Sequence, residues 1–198
     1  MKVGVLSLQG DVREHVSALI ACGIDPIEVR RESELAEVDA LVLPGGESTT
    51  IAQLSEIFGI FEPIKQRIDA GMPVYGSCAG MILLADQILD AKQGQKTFGG
   101  LDITVRRNAF GRQVDSFETD ISFNDGSSEL IKAVFIRAPW VEKVGAGITV
   151  LASVDSHPVA VRSATLLATS FHPELTADHR IHRYFIEEVA KPALEKVK

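Results

Sequence analysis

The sequence predicts an α/β protein: an open, mostly parallel sheet flanked by helices, with antiparallel strands added in its second half. Three observations predict this. The first ninety residues alternate short apolar runs with segments of helical spacing, and strands joined through helices pair in parallel by right-handed crossovers. Glycine turns close several of those runs. Beyond residue 100 the helical spacing gives way to strand-like runs separated by turn signals. The chain has 198 residues, a length that suits one domain over residues 1–198.

In order, Val3–Leu8 reads as a buried strand ending at Gln9-Gly10. Residues 11–22 carry Val12, Val16, Leu19 and Ile20 at helical spacing, with Gly23 as the stop. Ile27–Arg30 and Ala40–Leu43 are the next strands, the second closed by Pro44-Gly45-Gly46. Ser48 or Thr49 is placed to cap a helix running to about Phe58, and a further helix covers Phe61–Ala70. A strand begins at Pro73–Tyr75, followed by Gly76-Ser77-Cys78-Ala79-Gly80 and an apolar helix from Met81 to about Leu89. Six later runs read as strands: 101–107, 116–123, 130–137, 149–154, 158–162 and 165–171. Asn124-Asp125-Gly126 and Gly145-Ala146-Gly147 suit hairpins or short loops, and a last helix covers about 177–190.

Composition narrows the function. Hydrophobic residues make up 45% and charged residues 24%, ordinary for a globular protein with its own core. The formal net charge is −7 with no basic block, so nucleic-acid binding has no electrostatic footprint. No apolar run approaches the length of a membrane span, and the first residues do not read as a signal peptide. Cys22 and Cys78 are then expected as free thiols in the cytoplasm.

Gly76-Ser77-Cys78-Ala79-Gly80 has the form G-x-C-x-G between strand and helix, a nucleophile elbow with sulfur in place of a serine oxygen. A reversal this sharp holds the nucleophile in a strained conformation. Larger residues two positions away would collide with the adjacent strand and helix. The helix that follows aims free N–H groups at the sulfur, which favours thiolate. Cys22 ends an ordinary helix pattern and is assigned to packing.

A thiol nucleophile needs a base, oriented by a third group. His172 follows a strand, at the edge of an α/β sheet where ligands gather, and Glu174 stands two residues on. His15 and His157 show no comparable partner, and His179 and His182 read as a solvated helix face without a third metal ligand. Pro44-Gly45-Gly46-Glu47-Ser48-Thr49-Thr50 lets backbone N–H groups approach a substrate, which suits an oxyanion hole. The phosphate-binding patterns G-x-x-x-x-G-K-[ST] and G-x-G-x-x-G are absent.

The elbow, Pro44-Gly45-Gly46 and His172-Pro173-Glu174 together resemble the class I (triad) glutamine amidotransferases. Leu8-Gln9-Gly10, the PGGESTT turn, RNAFGRQVDSFE at 107–118, FIRAP at 135–139 and SFHPELT at 170–176 resemble, more narrowly, the glutaminase subunits of pyridoxal 5′-phosphate synthase. The resemblance runs from Val3 to about Phe185. It implies a three-layer, flavodoxin-like fold and hydrolysis of L-glutamine to L-glutamate and ammonia. In the implied roles Cys78 attacks the side-chain amide, His172 passes a proton to ammonia and Glu174 orients His172. Backbone at Gly46 and Ala79 stabilises the oxyanion. Gly46, Glu47, Ser48, Arg107, Ile136 and Arg137 match glutamine-contacting positions, and Gln9 matches a residue near the active site and the subunit contact.

The resemblance implies no cofactor and no metal. It implies a separate synthase subunit that takes the ammonia through an internal tunnel and combines it with a pentose phosphate and a triose phosphate. The same elbow and triad would serve a glutaminase of another synthase, such as imidazole glycerol phosphate synthase in histidine biosynthesis. The 107–118 and FIRAP segments favour the first reading.

Overall fold

The computed structural model describes residues 1–107, 109 and 116–196. Asn108 and residues 110–115, which carry part of the RNAFGRQVDSFE resemblance, lie outside the described residues. Twelve strands are described: β1 (Val3–Leu6), β2 (Ile27–Val29), β3 (Ala40–Leu43), β4 (Val74–Ser77), β5 (Ala85–Leu89), β6 (Leu101–Arg106), β7 (Ser116–Ile121), β8 (Ile131–Ile136), β9 (Trp140–Val144), β10 (Thr149–Val154), β11 (His157–Arg162) and β12 (Leu166–Thr169). The main sheet has the order β10-β11-β12-β4-β3-β1-β2. Its five strands β12, β4, β3, β1 and β2 pair in parallel, and β10 and β11 extend it antiparallel. This is the expected architecture.

Alternation along the parallel strands builds two cores. Val3, Val5, Ala40, Val42 and Tyr75 face one side, and Leu6, Leu41, Leu43 and Val74 the other. Every residue of β1, β3 and β4 is buried, as strands covered on both faces require. On the first side lie helix α1 (Val12–Ala21), through Leu19, and the C-terminal helices, through Ile181, Phe185 and Val189. On the second lie α2 (Glu32–Leu35), α3 (Ser48–Ile57), α4 (Phe61–Asp69) and α5 (Ala79–Leu84). Two small sheets thicken these layers. The β7-β8 hairpin joins the first core, and β5-β6-β9 joins the second.

The structure corrects four sequence readings. The helix after the elbow stops at Leu84, and residues 85–89 form β5 beside β6. A contiguous apolar run does not distinguish helix from strand. Here the Leu83 carbonyl accepts the N–H groups of Phe98 and Gly99 instead of continuing the helical ladder. Neither Ser48 nor Thr49 caps α3. Glu47 does, its carboxylate accepting the Thr50 N–H at 2.8 Å and the Thr50 hydroxyl at 2.9 Å. Strand β9 and the short helix α2 carry too little pattern to stand out in the sequence. The last helical segment starts at Arg180 as α6 (Arg180–Tyr184) and runs past Pro192 as α7 (Lys191–Glu195). Between them Phe185–Ala190 widens to i→i+5 pairing, which eases the clash of the proline ring with the carbonyl four residues back.

Candidate active site

The strand order assembles the site. β4 lies between β3 and β12, so the turn leaving β4 is flanked by the turns leaving the other two. Cys78 follows β4, Gly45 and Gly46 follow β3, His172 follows β12, and Gln9 and Asp11 follow β1. All sit at the carboxyl edge of parallel strands, where ligands bind in such sheets.

Cys78 has φ +46° and ψ −97°, a strained conformation for a residue with a side chain. The two glycines around it are demanded by contact. A Cβ on Gly76 would fall on the Gly80 carbonyl group, and one on Gly80 would fall on the Leu43 carbonyl of β3. The Cys78 Sγ lies 3.9 Å from the Ile136 carbonyl oxygen and within hydrogen-bonding reach of His172.

His172 and Glu174 are both buried, and His172 Nδ1 lies 2.8 Å from Glu174 Oε1. Asp11 Oδ2 lies 3.3 Å from the same nitrogen. Burial disfavours the imidazolium, but hydrogen bonding to Asp11, Cys78 and Glu174 outweighs it and holds His172 well above the ordinary imidazole value. Burial pushes Glu174 up, yet the attraction and hydrogen bonds of His15 and His172 leave it below the ordinary carboxylate range. Gly45 presses its bare Cα against the imidazole, where a Cβ would meet His172 Cε1. Among the described residues, ligand-type atoms of Asp11, His172 and Glu174 lie within 4.8 Å of one another. That arrangement holds an imidazole N–H between carboxylates.

These shifts set a pH dependence of stability. A carboxyl held below its unfolded value of 4.5 stabilises the fold fully above that pH, and the contribution is lost as pH falls through the lower folded value. The imidazole, held above 6.5, contributes fully below that pH and loses its contribution only as pH rises toward its folded value. The wild-type stability advantage over Glu174→Gln, measured by urea unfolding, is expected to shrink from about pH 5 to about pH 3. A difference that stays constant over that range contradicts the depressed carboxyl.

Cys78 and His172 open onto a cleft of about 410 Å³. Gly46, Glu47, Ser48, Arg107, Ile136 and Arg137 all line it, as does Gln9. The small sheets deliver Arg107, Ile136 and Arg137, since Arg107 follows β6 and Ile136 ends β8. Gly46 has φ +150°, and Gln9 Oε1 accepts the neighbouring Glu47 N–H at 2.9 Å, which fixes the glycine turn. Arg137 has φ +43°. Ala79 is the first residue of α5, so its N–H has no partner within that helix. Glu47 is pushed up by burial and pulled down further by Thr50 and Lys92, to about 2, and so is ionised. Its Oε1 meets Arg107 at 3.1 Å and Lys92 at 3.5 Å, while Gln95 bonds both Arg107 and Ser48.

The sequence missed Asp11, Lys92 and Gln95, which come from turns without a motif. It also misread two histidines. His15 is buried and bonded to His182 and Ser77, and His182 is buried and not on a solvated face. A signal existed. His15 shares the apolar stripe of Val12, Val16 and Leu19, and His182 that of Phe185, Ile186 and Val189. His157 stacks on Trp140, and Cys22 points its thiol at the His179 carbonyl, consistent with packing. Among the described residues no helix is long and apolar enough to cross a membrane.

Compared with known families, residues 5–191 match the SNO glutamine amidotransferase family. The "Pyridoxal 5'-phosphate synthase subunit PdxT" of Parafrankia sp. (strain EAN1pec) is 61% identical over 188 residues, covering 95% of this chain and 93% of that relative. The protein of the same name from Streptomyces coelicolor is 60% identical over 187 residues, covering 94% and 93%. A crystal structure of a glutamine amidotransferase superposes with a TM-score of 0.87 at 48% identity, covering 93% of this chain and 97% of the other. The structure of PurLQS from Thermotoga maritima, at 16% identity and TM-score 0.64 over 100% of this chain and 99% of that one, shares the fold.

Proposed function

The chain belongs to the SNO glutamine amidotransferase family, and from that premise we propose that it is the glutaminase of a two-part pyridoxal 5′-phosphate synthase. The observation that carries the reading is the strained Cys78 elbow opening, beside His172, onto the cleft, with Glu174 behind the imidazole.

Cys78, as thiolate, attacks the side-chain amide carbon of L-glutamine, and the carbonyl π pair moves to oxygen. N–H groups of Gly46 and Ala79 receive that oxyanion. When the intermediate collapses the C–N bond breaks, and His172 gives its proton to the departing nitrogen, releasing ammonia. Water, deprotonated by His172, then attacks the thioester, releasing L-glutamate and restoring the sulfur. Glu174 keeps the imidazole oriented throughout. At the other end of the substrate the ionised Glu47 suits the α-ammonium group, and the guanidinium groups of Arg107 and Arg137 suit the α-carboxylate.

The ammonia acceptor is a separate synthase component, in keeping with the relatives' being named as one subunit of a synthase. Ammonia release, glutamate formation and pyridoxal phosphate formation, assayed with and without that component, test the whole reading. Expected are equal amounts of ammonia and glutamate in the complex, and cofactor formation once a pentose phosphate and a triose phosphate are supplied. No ammonia from the complex overturns the glutaminase assignment. Ammonia without cofactor overturns the choice of synthase.

A further inference from the structure

Glu174 receives more than its histidine. Its side chain is buried, and besides His172 its Oε1 lies 3.4 Å from Ser77 Oγ and 3.4 Å from His15 Nε2. His15 Nε2 is 2.9 Å from Ser77 Oγ, and His15 Nδ1 is 2.9 Å from His182 Nε2. His15, Ser77 and His182 are each fully buried. The site therefore continues inward as a hydrogen-bonded chain that ends on α6.

Donor and acceptor counting fixes the protons along it. If His15 carried its proton on Nδ1, that N–H would be given to His182 Nε2. His182 would then hold its own proton on Nδ1, a buried atom with no partner, leaving an orphaned donor. The bare Nε2 of His15 would take the Ser77 hydroxyl proton and point a lone pair at the Glu174 carboxylate. The opposite assignment satisfies every contact. His182 Nε2–H donates to His15 Nδ1, His15 Nε2–H donates toward Ser77 Oγ and Glu174, and the Ser77 O–H donates to Glu174 Oε1. Glu174 Oε2 is without a hydrogen-bond partner in either assignment, and what this one adds is a bare imidazole nitrogen on His182, which costs less than an orphaned N–H.

Resting on the glutaminase reading, we propose that His15, set in its tautomer by His182, is a positioning residue for that reaction. It holds Glu174 as the acceptor of the His172 Nδ1–H, which keeps the Nε2 side of that imidazole turned toward Cys78. The titratable groups around Glu174 are Asp11 just before α1, His15 on α1, Tyr75 on β4, and His172 and His182. Of these, His15 is the donor outside the predicted triad that directly reaches the carboxylate from α1.

The test compares His15→Phe with His15→Gln in the assembled synthase, following kcat, KM and the pH profile of kcat/KM. Phe removes the donor. Gln returns an N–H near the position of Nε2. In His15→Phe, kcat is expected to fall about tenfold, the worth of one hydrogen bond to a charged group, with KM within about twofold. The acid limb should move up by about one pH unit, because Glu174 becomes easier to protonate. His15→Gln should recover most of both losses. An unshifted acid limb in folded His15→Phe, or no advantage of Gln over Phe, overturns the proposal. So does ¹⁵N imidazole spectroscopy of the unmodified protein if it finds the His15 proton on Nδ1, a readout that stands even where both variants fail to fold. An inactive wild-type complex would instead refute the glutaminase reading, whatever the tautomer.

Discussion

Cys78→Ala is expected to abolish ammonia release from L-glutamine, lowering turnover by at least about 10⁴-fold, the scale set by losing the nucleophile of a catalytic triad. The expectation follows from geometry. Cys78 sits at a strained reversal, it faces the cleft, and His172 stands within hydrogen-bonding reach. The sulfur's contact with the Ile136 carbonyl, at 3.9 Å, is too long to matter to the fold. Alanine keeps the Cβ and loses one atom from the cleft wall. The thermal unfolding midpoint should therefore stay within a few degrees of the parent's. Cys22→Ser is the matched control. Cys22 is half-buried, burial raises its thiol, and it lies on α1's far end from the cleft edge, so turnover should be unchanged. Alkylation by a reactive glutamine analogue should label wild type and Cys22→Ser one-for-one and leave Cys78→Ala unlabelled. Ammonia release by Cys78→Ala at the parent's rate would mean that another group performs the attack.

The sequence made this site legible through its outer parts. The elbow pentapeptide, the glycine turn and His172-Pro173-Glu174 each need a particular residue type at a particular spacing, and that requirement leaves a trace in one dimension. The parallel strands were legible for a related reason, since β1 and β3 are buried on both faces and must be apolar throughout. What supports the site from behind was not legible. His15 and Glu174 are 159 positions apart, and only the packing of α1 against the turn after β12 brings them together. Each histidine sits on an apolar stripe, and that stripe was the available clue: a polar ring among core residues must have a buried partner. The end of α5 was hidden differently. Its Leu83 carbonyl is claimed by the N–H groups of residues 98 and 99, so the decision between helix and strand is made by a distant segment of the chain.

Gly80→Ala sets two effects of opposite sign against each other, and their magnitudes decide the outcome. Gly80 lies inside α5, where alanine is favoured over glycine by about 1 kcal/mol from helix propensity alone. The added methyl group, however, would land on the Leu43 carbonyl oxygen, with Leu43 Cβ only 3.1 Å away. Leu43 belongs to a central strand, hydrogen-bonded to β1 on one side and to β4 on the other, so that oxygen cannot swing aside as a flexible side chain would. Overpacking against a fixed wall costs about 1–3 kcal/mol or more, and here the upper end applies because the colliding atom is backbone. The net expectation is a loss of about 2 kcal/mol, read as a lower urea midpoint at unchanged slope. Activity should fall further than stability. The clash is relieved only by lifting α5 off β3, and α5 carries the Ala79 N–H and the turn that aims Cys78. A displacement of about 1 Å at a reacting group costs about 100-fold in rate. Equal or higher stability in Gly80→Ala would show that propensity wins and that the close seating of the elbow on β3 does not hold the nucleophile in place.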